Sequence, residues 1–140
     1  MTRRVWMVAC LTGAVALGGC GPSGPKFQAV TVRLTVDGGN VADLTGSTLD
    51  VAVPNNPLLR SSGTITPDGT VELETLHAGK IRRGVQEGNY QVRIILADDD
   101  REQRRKAAKT VAPRFLKFES SGLSLTVPGD GTVPLTVAAK

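Results

Sequence analysis

From Phe27 onward the apolar residues of this chain recur with a period of two. Val30, Val32, Leu34 and Val36 alternate with Thr31, Arg33 and Thr35, the pattern of a strand with one buried face and one wet face. Asp37-Gly38-Gly39-Asn40 ends that run. Leu49, Val51 and Val53 alternate again as far as Pro54-Asn55-Asn56-Pro57. Thr66-Pro67-Asp68-Gly69 predicts a turn joining Ser62–Thr66 to Thr70–Leu76 as a hairpin, because proline presets the second turn position and glycine accepts the left-handed one. Tyr90, Val92, Ile94 and Leu96 form the clearest inward face, and Ile95 on the opposite side predicts a central strand partly covered on both faces. Leu123, Leu125 and Val127 lead through Pro128-Gly129-Asp130-Gly131 to Val133, Leu135 and Val137. Pro134 removes a ladder donor, so the last strand is expected at an edge or at a bulge.

These runs amount to about seven short strands with turn chemistry between them, which predicts an all-β protein: a single Ig-like β-sandwich over residues 27–140. No window carries a helical apolar stripe. Asp98–Lys109 is rich in helix formers and places Asp100/Arg104 and Glu102/Lys106 four apart, a stabilising spacing on a helix. It has no apolar face, however, and reads as a mobile charged loop. Gly79-Lys80-Ile81-Arg82-Arg83-Gly84 reads as a flexible loop between strands. It lacks the strand-to-helix setting that a phosphate-binding loop requires.

Ahead of the strands, Met1–Arg4 give a positive end, Val5–Leu17 an apolar stretch, and Gly18-Gly19 two small residues. A membrane span needs roughly 18 or more apolar residues, so this layout reads as a secretory signal. Leu17-Gly18-Gly19-Cys20 resembles the lipobox of bacterial lipoproteins: Leu, a small residue, Gly or Ala, then Cys. Gly18 stands where Ala or Ser is commoner. The resemblance implies removal of residues 1–19 and lipidation of Cys20, with residues 20–26 as a flexible linker. Gly21-Pro22-Ser23-Gly24-Pro25 has no apolar residue and spans ~20 Å at most, which holds the domain close to a membrane. Gly21 is not the Asp that favours inner-membrane retention in some bacteria, a weak lean toward the outer membrane, and the resemblance implies anchoring at the periplasmic face or in the outer membrane.

The net charge of +4 falls by two once Arg3 and Arg4 leave, too weak a field for an exported protein to take nucleic acid as partner. Of the two cysteines, Cys10 leaves with the signal. Cys20 is then alone, so no intramolecular disulfide forms and packing must hold the fold. With aromatics at 4%, Val, Leu, Ile and Thr carry the core, which favours strands.

Candidate chemistry is sparse. His77 is the one histidine, without the ligand spacing of a metal site or the partners of a nucleophilic triad. It reads as a surface residue at a strand end. Asp98, Asp99 and Asp100 are the weak metal candidates: a hard cation wants several oxygens, but adjacent residues on an extended chain point alternate ways. Arg101, Arg104, Arg105, Lys106 and Lys109, continuing to Arg114 and Lys117, form the most basic stretch. Near a membrane they are candidates for contact with anionic headgroups or an acidic glycan. Tyr90 is expected to bury its ring and bond its hydroxyl to nearby backbone.

Three segments together resemble small planctomycete-type lipoproteins with a carboxypeptidase-regulatory-like, or transthyretin-like, β-sandwich domain. They are the lipobox with its Gly/Pro/Ser linker, Gly88-Asn89-Tyr90-Gln91-Val92, and Pro113-Arg114-Phe115 followed by Ser121-Gly122-Leu123-Ser124-Leu125-Thr126-Val127. Phe115 stands where Tyr is usual, and Asp37-Gly38-Gly39-Asn40 replaces the familiar Asp-Gly-Lys-Pro. The resemblance implies a membrane-anchored envelope lipoprotein with a non-catalytic binding or structural domain. It brings no catalytic residue and no cofactor, and leaves an envelope protein or glycan as partner. The alternative is a metal- or acidic-glycan carrier built on residues 98–117. A transthyretin-related hydrolase would call for several histidines and a Tyr-Arg-Gly-Ser tail. Here there is one His, and the tail is Thr136-Val137-Ala138-Ala139-Lys140.

Overall fold

The alternating segments become strands on the residues expected: β2 (Thr31–Asp37), β3 (Thr48–Val53), β9 (Gly88–Ile95), β10 (Leu123–Val127) and β11 (Thr132–Ala138). The computed structural model describes residues 21, 24–127 and 131–140. Its class is all-β, with sheets packed as in a sandwich. Six further, mostly short strands complete it: β1 (Phe27–Gln28), β4 (Asn56–Thr64), β5 (Thr70–Glu72), β6 (Glu74–His77), β7 (Lys80–Arg83) and β8 (Val85–Gln86). The larger sheet runs β10-β9-β3-β4-β6-β7 and the smaller β11-β2-β5, while β1 and β8 form a separate pair.

Burial follows the pleat. Leu49 and Val51 of β3 lie opposite Ile94 and Val92 of β9, and all four are buried. Val32 and Leu34 of β2 meet them from the other sheet, together with Leu135 and Val137 of β11. Pro134 sits on β11, which is an edge strand, where its missing N–H is tolerated. Tyr90 is buried and its hydroxyl donates to the Gln86 carbonyl at 2.8 Å. Burial pushes the phenol above its ordinary pKa.

The structure corrects four expectations. The Thr66–Gly69 turn forms, with Gly69 N–H donating to Thr66 O at 2.9 Å, but its flanks do not pair as a hairpin. β5 joins β2 in the smaller sheet, and the chain crosses at Leu73 so that β6 joins β4 in the larger one. Gly63 permits the crossing, since a Cβ there would run into the Glu72 carbonyl. Second, residues 79–84 are not a loop: Lys80–Arg83 form the edge strand β7, paired with β6. Gly84, at φ +97°, then turns the chain off that sheet so close to Gln28 that no side chain fits. Third, Ile95 is 39% exposed rather than covered.

Fourth, the charged stretch is not a loop but forms the helix α1 (Arg101–Thr110). Asp100 caps it, accepting from the backbone N–H of Glu102 and Gln103 at 2.8 and 3.1 Å. The apolar stripe that it lacks is replaced by one buried alanine, Ala107, and two polar ties to a short 3-10 helix, Val41–Leu44. Gln103 Nε2 donates to the Asp43 carbonyl and Thr110 Oγ1 to the Asp43 carboxylate, both at 2.8 Å.

The sandwich therefore has two distinct ends. β2 begins at Thr31, bonded to Gly131, and finishes at Asp37, bonded to Ala139. Its seven residues cover roughly 20 Å. Helix α1 sits at the Asp37 end. The segment before Phe27 leaves at the Thr31 end.

Tyr90→Ala removes a buried ring and should destabilise the domain by ~3 kcal/mol, whereas Tyr90→Phe, losing one hydrogen bond, should cost ~1 kcal/mol. Urea denaturation of both variants checks the ranking, and equal losses would contradict this placement of the hydroxyl.

Candidate functional site

On the outer face of the larger sheet, three charged residues from adjacent strands meet. Asp50 lies mid-β3 between two buried neighbours, so the pleat turns it outward. Arg93 of β9 is its direct cross-strand partner. Arg60 of β4 lies opposite Ala52, two residues along the same face. Arg93 Nε donates to Asp50 Oδ2 at 2.8 Å, and Arg60 Nη2 donates to the same oxygen.

Asp50 is nevertheless buried, its side chain only 4% exposed, because the following chain folds over it. Pro113–Leu116 form a 3-10 turn, and Phe118 opens the one-turn helix α2 (Phe118–Ser121). The Phe118 ring stacks against the Arg93 guanidinium, 4.6 Å from its centroid, with Arg60 at 5.9 Å. One carboxylate is thus held by two guanidiniums under an aromatic cover, leaving a surplus positive charge on the more exposed Arg60. The cluster can offer a planar cation to an anionic group; its one carboxylate is engaged by both arginines, and it contains no histidine. Sequence reasoning missed it. The available signal was a carboxylate inside Leu49-Asp50-Val51, a charge at an outward position of an otherwise buried strand.

The residues singled out in the sequence are placed as follows. Leu17, Gly18, Gly19 and Cys20 lie outside the described residues. Asp98, Asp99 and Asp100 do not converge: Asp100 is the helix cap, and Asp98 accepts from Arg104. Among the described residues no group of three or more His, Cys, Asp or Glu is arranged to hold a metal ion. Lys106 pairs with Glu102 at 3.3 Å. Arg101, Arg105, Lys106 and Lys109, together with Glu102, line a shallow groove along α1, the most cationic strip on that end. His77 stands at the end of β6 as expected, its ring 5.5 Å from that of Phe27.

Two other polar arrangements are structural. Thr75 Oγ1 donates to the Gly84 carbonyl at 2.7 Å and accepts from Ser61 at 2.6 Å, which satisfies two buried hydroxyls between β4 and β6. In the Thr66–Gly69 turn the Thr66 hydroxyl and the Thr70 N–H bond to Asp68, holding its carboxyl at about 2, well below the usual range.

Comparison with known protein families, curated proteins and solved structures gives no match for this chain.

Asp50→Ala strands two guanidiniums on a half-covered surface and should destabilise the fold by ~3 kcal/mol, as breaking a buried ion pair from one side does. Arg60→Met, which keeps the stem and leaves Asp50 paired to Arg93, should cost under ~1 kcal/mol. Chemical denaturation of the two variants separates these outcomes, and a neutral Asp50→Ala would refute the account of the cluster.

Proposed function

We propose that this chain is an exported lipoprotein, anchored to a bacterial envelope membrane through lipidated Cys20, whose β-sandwich binds or scaffolds rather than catalyses. The observation that carries the reading is Leu17-Gly18-Gly19-Cys20 behind an apolar run, followed within a few residues by the first strand. The geometry supports it in one further respect. The segment after Cys20 reaches the fold at β1, which sits on one extremity of the sandwich and pairs with β8, so a tether there holds the domain by one end and leaves the opposite end, with α1, free. Three of the candidate groups are engaged within the fold: Asp50 by two arginines, Asp100 as a helix cap, and the His77 ring beside that of Phe27. The resemblance to transthyretin-like lipoproteins agrees with the all-β class and is part of this proposal.

A second reading rests on the α1 strip. Arg101, Arg105, Lys106 and Lys109 are presented at the end farther from the tether, where an acidic glycan of the envelope would be within reach. That strip makes the glycan the better supported partner within the carrier alternative.

The full chain expressed in a bacterial host should be recovered in the membrane fraction with a mature N-terminus at Cys20 and the mass of a diacylglyceryl and acyl group. Cys20→Ala should appear unprocessed and lack that mass. Intact-mass spectrometry reads both, and an unmodified Cys20 would overturn the reading.

A further inference from the structure

The larger sheet ends in the β6–β7 hairpin, which turns at Ala78-Gly79. Of the four large apolar side chains most exposed among the described residues, three gather at this extremity. Leu58 is 89% exposed, Leu76 69% and Ile81 70%. Leu76 and Ile81 are direct cross-strand partners. Leu58 lies in the stretch of β4 left without a β3 partner, where the register jumps from Ala52–Arg60 to Val53–Asn56. Continuing the β4–β6 register one pair beyond Ser61–Thr75 sets Arg60 opposite Leu76.

Cations frame these side chains. Lys26, Lys80, Arg82 and Arg83 are exposed, and none is in an ion pair among the described residues. Lysine and arginine on a free edge strand discourage the addition of another strand. They do not discourage an anionic surface, which attracts them.

The tether fixes what that surface is. Gly24 and Pro25 lie beside His77, Ala78 and Arg82, and the Phe27 ring packs tilted against that of His77. From Gly24 back to Cys20 is a span of four residues, at most ~14 Å of chain. If Cys20 is lipidated as proposed above, on which this inference rests, the hairpin cannot stand far from the headgroups. Helix α1 sits the length of β2 away and exposes no large apolar side chain, so the more basic element is the poorer candidate for insertion.

We propose that the β6–β7 hairpin, with Leu58, is a membrane-docking tip. Leu58, Leu76 and Ile81 enter the interfacial region of an anionic bilayer, and Lys26, Lys80, Arg82 and Arg83 contact its headgroups. Apolar side chains inserted beside basic residues combine hydrophobic burial with electrostatic attraction, the two contributions that hold interfacial segments on membranes. The docked domain stands with β2 pointing away from the bilayer and α1 outermost, which orients the sandwich where the lipid alone would leave it swivelling.

The test uses the full chain purified from membranes, its acylation read by intact mass, in vesicles of phosphatidylcholine with phosphatidylglycerol. Cys10 leaves with the signal and Cys20 is acylated, so a cysteine placed at Leu76, Ile81 or Lys109 is the one free thiol for an environment-sensitive fluorophore. Labels at Leu76→Cys and Ile81→Cys should shift to the blue and be quenched by lipids carrying a nitroxide high on the acyl chain. The label at Lys109→Cys should stay water-like. Replacing Lys80, Arg82 and Arg83 by Gln should reduce the quenching in these vesicles, with the labelled chain still folded by circular dichroism. Water-like emission at all three sites on acylated protein overturns the docking tip and leaves the lipoprotein reading standing. Blue-shifted emission at the hairpin without quenching assigns the surface to a protein contact and also overturns it. Absence of the acyl mass overturns the lipoprotein reading, and this inference with it.

Discussion

The fold depends on one long-range closure: β11 lies parallel against β2, about a hundred residues earlier in the chain. Every residue of β2 has a partner there, from Thr31–Thr132 to Asp37–Ala138. Its other neighbour, β5, supplies three. Without β11 the smaller sheet would be a short ribbon, and two-stranded ribbons are marginal in water. Leu135 and Val137 would also leave the core that the larger sheet needs to bury Leu49, Val51, Val92 and Ile94. With no cysteine among the described residues and few aromatics, no other described element replaces that burial.

The same closure positions the charged helix. Ala139 pairs with Val111, and the Lys140 N–H donates to the Thr110 carbonyl at 3.0 Å. The end of β11 thus clamps the end of α1, while Asp43 ties its first turn and its last residue. A helix with a single buried alanine has little hydrophobic reason to dock. It is placed by hydrogen bonds to structure that β11 has already fixed. This arrangement separates the molecule into a basic, polar extremity under α1 and an apolar, basic extremity at the hairpin where the N-terminal segment emerges.

What was legible in the sequence follows from how far each feature is local. The alternation of β2, β9, β10 and β11 could be read because each has one buried face, that of β3 because Asp50 breaks its apolar run although both its faces are buried, and Pro134 announced an edge. Thr66-Pro67-Asp68-Gly69 announced its turn, but the destination of the following residues is a matter of tertiary pairing: β5 and β6 go to different sheets across Leu73. Lys80–Arg83 was invisible as a strand because all four residues are exposed and so carry no period. Helix α1 showed its charge spacing, but sequence reasoning missed Asp100 as its cap. The contacts that make it order, through Asp43 and Ala139, are distant in sequence. Asp50, Arg60 and Arg93 were unreadable as a group for the same reason, with partners 10 and 43 residues apart. The exposed leucines and isoleucine at the hairpin are an ordinary composition until the fold gathers them beside the linker.

Amide hydrogen exchange resolved by residue tests the closure most directly. The amides of Arg33 and Thr35, which face β11, and of Leu135 and Val137, which face β2, should exchange only through global unfolding, as core elements do, and those of α1 through easier local opening. Exchange in β11 faster than in α1, with the larger sheet still protected, would mean that the sandwich stands without its last strand and would contradict the account.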